Sequence, residues 1–352
     1  MAILNHISHK ILLWLVFAIG LSSCFSEFTP DIDRTPVLCM NSSITAGEPL
    51  QVNLTRTWRW DESYKKDISV TDAGIKLYVN GQYVEDLVCR ENENIPDKTN
   101  ENYNQIPYIY VAEKYIPASG DEIRLEAVSE KYGTASAVET IPYPVNIEKV
   151  EAIIPKFFSS TYDTKGTIYQ FDLNLLVSFT DPADIVNYYQ LKVYDPALID
   201  YETGARAYFQ WLRIDMSNEP LVTEHVSSFE SVVADTWGYS FFSDRQISGK
   251  NYSFHVSVDN CNFYYNNPDG IPEYENSGLD IELQSLSQNY YNHILSVWEA
   301  NDGLVGSLGS VGLGEIVPAY SNVSTNAGIV AGKAVSRIRL SIPKLMKQFT
   351  DQ

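Results

Sequence analysis

Serine, histidine and carboxylate side chains are the groups in this chain able to do covalent or acid–base work, and their spacing narrows what they can do. A serine nucleophile held on a sharp strand-to-helix turn needs Gly-x-Ser-x-Gly. The tract 303–314 offers Gly306-Ser307-Leu308-Gly309 and Gly309-Ser310-Val311-Gly312 instead, and is expected to be a flexible loop. Beyond the first ten residues the histidines are His225, His255 and His293. They stand far apart, without His-Glu-x-x-His or a Cys/His cluster, so neither zinc ligation nor a catalytic triad is expected. Asp and Glu total 45. Glycosidic hydrolysis needs two carboxyls about 5–10 Å apart, and chain spacing picks out no pair. Asn266-Asn267-Pro268-Asp269-Gly270-Ile271-Pro272-Glu273 has the alternating oxygens and bending glycine of a calcium loop. Tyr265 would occupy its first position and no glutamate stands at the far end, so the segment reads as a polar turn. Trp58 and Trp60 flank Arg59, which in a strand puts both indoles on one face. That face fits stacking on a sugar or a partner surface, or filling a sandwich core, and it is the candidate ligand or partner face. No catalytic residue, metal or cofactor is expected.

Cys24 has the most informative neighbours. Lys10 precedes the apolar run Ile11-Leu12-Leu13-Trp14-Leu15-Val16-Phe17-Ala18-Ile19-Gly20, followed by Leu21-Ser22-Ser23-Cys24. A basic end, a short apolar core and a small-residue cut site, in that order, make a secretory leader. The core is too short for a permanent span of about 20 residues. Leu-Ser-Ser-Cys resembles the lipobox of bacterial lipoproteins, in which the cysteine thiol is acylated and becomes the first residue of the mature chain. Residues 1–23 are therefore expected to be a lipoprotein signal peptide, Cys24 the lipidation site and residues 24–35 a tether. More than one acyl chain suffices for stable anchoring where a single chain does not. The absence of Asp directly after Cys24 is compatible with transfer to the outer membrane, with its periplasmic and cell-surface faces both open. Cys39, Cys89 and Cys261 remain, an odd number, so at most one disulfide forms; Cys39–Cys89 is the pairing within the first part of the chain.

At 352 residues, 44% hydrophobic and 20% charged, the chain has the composition of a packed globular protein. Twenty-four Tyr against four Met, with many Val, Ile and Thr, favour pleated sheets. A formal charge of −20 with scattered basic residues excludes the phosphate backbone of nucleic acid as a partner and excludes polybasic docking on anionic lipid.

Short runs of alternating hydrophobicity mark half-buried strands: Val37–Met40, Leu50–Leu54, Ile75–Val79 and Glu122–Val128, then Val150–Ile154, Tyr169–Phe179, Tyr188–Tyr194, Ala207–Ile214, Tyr252–Val258, Leu279–Leu283 and Ala334–Ile342. Asn80-Gly81 ahead of Gln82-Tyr83-Val84 is a hairpin signal, since both turn positions tolerate positive φ. Residues 91–105 read as a long loop. The prolines of Ile141-Pro142-Tyr143-Pro144 end any strand there. From Ser287 to Ala300, Tyr290, Tyr291, Ile294, Leu295 and Trp298 recur at helical spacing, with Ser287 as the cap. The expected fold is all-β: an immunoglobulin-like β-sandwich over 36–145, then a second sandwich or barrel-like domain over 146–352 carrying one short helix.

The phrases Phe241–Lys250, Ile281–His293 and Glu315–Ile329, in that order and spacing, resemble the DUF4249 family of Bacteroidetes lipoproteins. Asn326-Ala327-Gly328 departs from the Gly-rich pattern common near the last of them, which implies a changed loop. The resemblance covers nearly all of the mature chain. It implies a cell-envelope lipoprotein associated with a TonB-dependent outer-membrane receptor, and supplies no catalytic residues. The expectation is thus a lipid-anchored outer-membrane accessory or binding protein of unknown ligand, not an enzyme. The alternatives are an envelope structural or adhesion module without small ligand, and a carbohydrate-active enzyme with two close carboxylates of shifted pKa.

Overall fold

The polar-apolar alternation of the first strands sorts their side chains to two faces, and the apolar faces meet. In the computed structural model, which describes residues 35–58, 68–92, 107–163, 166–195, 210–212, 214–222, 240–265, 278–301, 303, 306, 308–309 and 317–341, the first part holds eight strands. They are β1 (Leu38–Thr45), β2 (Gln51–Arg56), β3 (Gly74–Val79), β4 (Gln82–Asp86), β5 (Val88–Glu91), β6 (Tyr108–Val111), β7 (Glu122–Ser129) and β8 (Gly133–Thr140). One sheet runs β4-β3-β7-β8 and another contains β1-β2-β6-β5. Leu38, Met40 and Leu54 from one, and Ile75, Leu77, Ile123 and Leu125 from the other, fill a common core. The predicted hairpin is present: Asn80 and Gly81 have φ of 51° and 80°, and Tyr78 and Val79 pair with Tyr83 and Gln82.

The second part adds β9 (Ile147–Asp163), β10 (Gly166–Thr180), β11 (Tyr188–Asp195), β12 (Gln210–Trp211), β13 (Ile214–Asp215), β14 (Phe241–Ser243), β15 (Asn251–Tyr265), β16 (Gly278–Leu286), helix α1 (Gln288–Asn301) and β17 (Gly328–Ser341). The sheet β13-β15-β10-β9 packs Leu173, Leu175, Val177, Phe179, Phe254 and Val256 into a second core, where the Phe179 ring meets Tyr189 at 5.3 Å and Phe254 at 5.6 Å. The other sheet of this part runs β12-β11-β16-β17 and does not stop there. β17 lies parallel to β1, with register Met40↔Gly328 through Thr45↔Lys333, so a single sheet continues from β12 to β5. The fold class is the expected one, all-β with one short helix; among the described residues the sheets stay open and no barrel closes.

Helix α1 starts where its sequence says it should. Ser287 Oγ accepts the Tyr290 N–H at 3.2 Å, an N-cap bond, and the Gly332 N–H at 3.3 Å, while donating to Glu139 Oε2 at 2.8 Å. Glu139, on β8, is thereby buried at the helix start, also accepting the Thr140 N–H at 2.8 Å.

Several details differ from the expectation. β5 and β6 occupy both flanks of the anticipated loop 91–105, of which 93–106 lies outside the described residues. β8 carried no strand signal. The run Ala207–Ile214 is represented by two two-residue strands, β12 and β13. In the glycine-rich tract Gly306, Leu308 and Gly309 are helical, not loop.

Candidate functional site

A sheet face covered by a helix is normally apolar. The face beneath α1 is not. On β1 the core takes Leu38, Met40 and Ile44, leaving Asn41 and Ser43 on the opposite face; their cross-strand neighbours on β2 are Asn53 and, by continuation of that register, Gln51. On the same face β17 contributes Ile329 and Ala331, paired with Asn41 and Ser43, and β11 contributes Gln190. Helix α1 sits over these residues with Tyr290, His293, Ile294, Val297 and Trp298 turned towards them. The space between is a cavity of about 700 Å³, also lined by Phe241 of β14, a size typical of small-ligand pockets, about 300–1,000 Å³.

Further contacts fix the helix in place. Tyr291 stacks on Tyr188 at 4.5 Å between ring centroids and meets the Phe241 edge at 5.8 Å. The Tyr290 hydroxyl bonds Ser43, and burial raises its pKa. His293 Nδ1 lies 2.6 Å from the Tyr320 carbonyl oxygen. A carbonyl only accepts, so Nδ1 carries the proton and Nε2 of the neutral ring is left as an acceptor. Ser296 Oγ accepts the Tyr320 N–H at 2.7 Å and the Tyr320 hydroxyl donates to Asn289 Oδ1 at 2.6 Å, so the segment after the helix is held against it.

Among the described residues the lining carries no Asp, Glu, Lys or Arg. Its polar members are amides and hydroxyls plus one imidazole, and Gln190 Oε1 is buried with no hydrogen-bond donor from the protein. A buried acceptor left so costs roughly 1–3 kcal/mol, a penalty that a ligand hydroxyl or N–H would remove.

Beyond Gln190 the same face becomes charged. Lys192, Glu282 and Arg337 stand side by side across β11, β16 and β17. Glu282 accepts from Arg337 Nε at 2.7 Å, Gln284 Nε2 at 3.0 Å and the Tyr194 hydroxyl. Burial pushes its carboxyl up, but those donors together hold it below the usual range. Burial and neighbouring Lys333 push Lys192 down to about 8 against the attraction of Glu282. The row is an internally compensated network built into the sheet.

Two other buried carboxylates lie near each other. Asp181 and Asp244 are 1% and 3% exposed. Asp181 accepts from the Tyr189 hydroxyl at 2.5 Å and the Gly249 N–H at 3.1 Å, and Asp244 from the Asn187 N–H at 2.8 Å. Asn187 Nδ2 reaches both. With their oxygens committed to loop backbone and buried side chains, they act as staples. Asp244 ties its own turn to the segment before β11.

The residues singled out in the sequence are not brought together. Trp58 is 44% exposed just beyond β2 and lines no part of the cavity; Trp60, Cys24, His225 and the segment 266–273 lie outside the described residues. Cys39 and Cys89 are free thiols, so the pairing between them is not made. Cys39 accepts from Asn41 Nδ2 at 3.4 Å, Cys89 is bonded to the Tyr110 hydroxyl, and the side chain of Cys261 is outside the description. His255 is bound to Glu219 through its backbone N–H. Among the described residues His293 lines the cavity and His255 does not. Sequence reasoning missed Asn41, Ser43, Gln51, Asn53 and Gln190; their one signal was the uncharged polar half of otherwise apolar strands.

A family described as "Domain of unknown function (DUF4249)" matches residues 26–339. No curated protein matches the chain.

Proposed function

We propose that this chain, which belongs to the DUF4249 family, is a lipid-anchored binding protein of a bacterial outer membrane that holds a small ligand beneath α1 and serves a TonB-dependent receptor. The observation that carries the binding role is the cavity, about 700 Å³ and lined by uncharged polar and aromatic side chains. The lining has no carboxylate pair, so among the described residues this site favours binding over hydrolysis. The anchor is supported by Leu21-Ser22-Ser23-Cys24 and the apolar run before it, with the family match beginning two residues past that cysteine. The receptor partnership is supported by the family resemblance.

Cells fed an alkyne-tagged palmitate are expected to label the wild-type chain and leave Cys24→Ala unlabelled. Equal labelling of the two would place the lipid elsewhere, and no label on either would remove the anchor. Affinity capture from detergent-solubilised envelopes, read by mass spectrometry, is expected to recover one outer-membrane receptor in near-stoichiometric amount. Recovery of the lipidated protein alone would remove the receptor and leave an adhesion or structural role.

A further inference from the structure

We infer that the cavity beneath α1 takes an uncharged saccharide, a short oligosaccharide rather than a peptide, a fatty chain or an anion; the inference rests on the binding role proposed above. Four observations exclude the other classes. Among the described residues no charged side chain lines the cavity, and a chain of net charge −20 repels anions. A purely apolar guest would leave Gln190 Oε1 without a donor and Asn53 and Gln51 facing hydrocarbon, at a cost for every unpaired amide. A peptide added as a strand needs a free sheet edge. β1 is already paired on both sides, by β17 and β2, and β2 by β1 and β6.

What remains is a molecule with donors and acceptors on one side and C–H surface on the other. Each Asn or Gln side chain presents both a donor and an acceptor, as each sugar hydroxyl does. On the strand side Asn53 lies directly across from Asn41, about 5 Å away, while Gln190, whose buried Oε1 lacks a protein donor, stands three strands from β1 on β11. The helix side presents Trp298 and Tyr290, with Ile294 and Val297 between, as the apolar wall for a pyranose C–H face. The polar wall is the sheet and the aromatic wall is the helix, so the ring plane is set by two rigid elements.

The test uses the full-length lipidated protein in a detergent without a sugar headgroup, such as an amine oxide. Calorimetric titration with maltotriose, cellotriose, mannotriose, xylotriose and chitotriose is expected to show binding of at least one, with trigalacturonate and palmitate binding at least tenfold more weakly or not at all. Gln190→Leu and Asn53→Ala, on different strands, are each expected to weaken that binding tenfold or more while keeping the wild-type melting profile. If one of them fails to fold, the other carries the test, and Lys149→Ala on the exposed face of β9 is expected to change nothing. A panel in which no neutral trisaccharide binds overturns the inference, as does binding that neither lining variant weakens. Tighter binding of palmitate or trigalacturonate, sensitive to both variants, overturns the saccharide class and leaves the cavity a binding site. Saccharide binding without receptor capture overturns the receptor partnership alone.

Discussion

Gly328→Ala is expected to destabilise the protein by about 3 kcal/mol or more, enough to lose most of the folded population of a domain of ordinary stability. Two costs combine. Gly328 has φ of +91°, where an L side chain is strained by about 1 kcal/mol. In addition, a Cβ there would lie 2.2 Å from Met40 O and 2.7 Å from Met40 C, so one strand must retreat from the other at the first pair of the β1–β17 register. Gly81→Ala separates the two costs: its φ of +80° is similar, but nothing lies within 4 Å of the added carbon, and about 1 kcal/mol is expected. Urea titrations of both variants measure the difference. Equal losses would mean that β17 can shift on β1 without penalty.

Stability is also expected to fall as pH rises through the range where Glu139 ionises. Burial pushes its carboxyl up from an ordinary 4.5 to about 7, against hydrogen bonds from Ser287 and the Thr140 N–H. The folded value lies above the unfolded one, so between the two the folded state binds more protons and stability declines with pH. The contribution is fully present below 4.5 and lost above 7. At 1.36 kcal/mol per pH unit it is worth about 3 kcal/mol across that window. Glu139→Gln keeps the shape and cannot ionise, so its stability relative to wild type is expected to improve by that amount between pH 4.5 and 8. Parallel curves for the two proteins would show that the carboxyl titrates in its ordinary range. The loss would be felt at the start of α1, because the Ser287 hydroxyl that Glu139 holds is the same one that caps the helix.

Legibility in the sequence followed burial. β1, β3, β7 and β10 alternate cleanly because one face meets a core and the other does not, and the helix was visible because Tyr291 and Trp298 face inward one heptad apart. β8 was hidden: its inward positions are Ala135, Ala137 and Glu139, two small residues and a charge. β5 and β6, four residues each, are too short to show a period. β17 begins six residues before the alternation that marked it, because Gly328, Gly332 and Lys333 interrupt the apolar pattern. The cavity was illegible for a different reason. Asn41, Ser43, Gln51 and Asn53 look like the solvent side of ordinary strands, and only the placement of α1, decided by a contact some 250 residues further along the chain, converts that side into a wall. Trp58, singled out for its spacing with Trp60, shows the converse: an aromatic conspicuous in sequence that the fold leaves outside the cavity.

The parallel pairing of β17 with β1 has a consequence in time. Met40 meets Gly328 across 288 residues, so the first sheet gains its inner neighbour only after almost the whole chain has been delivered. Loop closure over that distance is slow compared with hairpin formation. Until then β1 presents an unpaired row of backbone donors and acceptors, and the wall carrying Asn41 and Ser43 faces no helix. Early segments thereby lack the partner that would lock them prematurely. The delay also exposes an interval in which the open strand can pair with another copy. Shortened products ending before 328 are expected to be removed by proteolysis or aggregation even though their N-terminal sequence is intact.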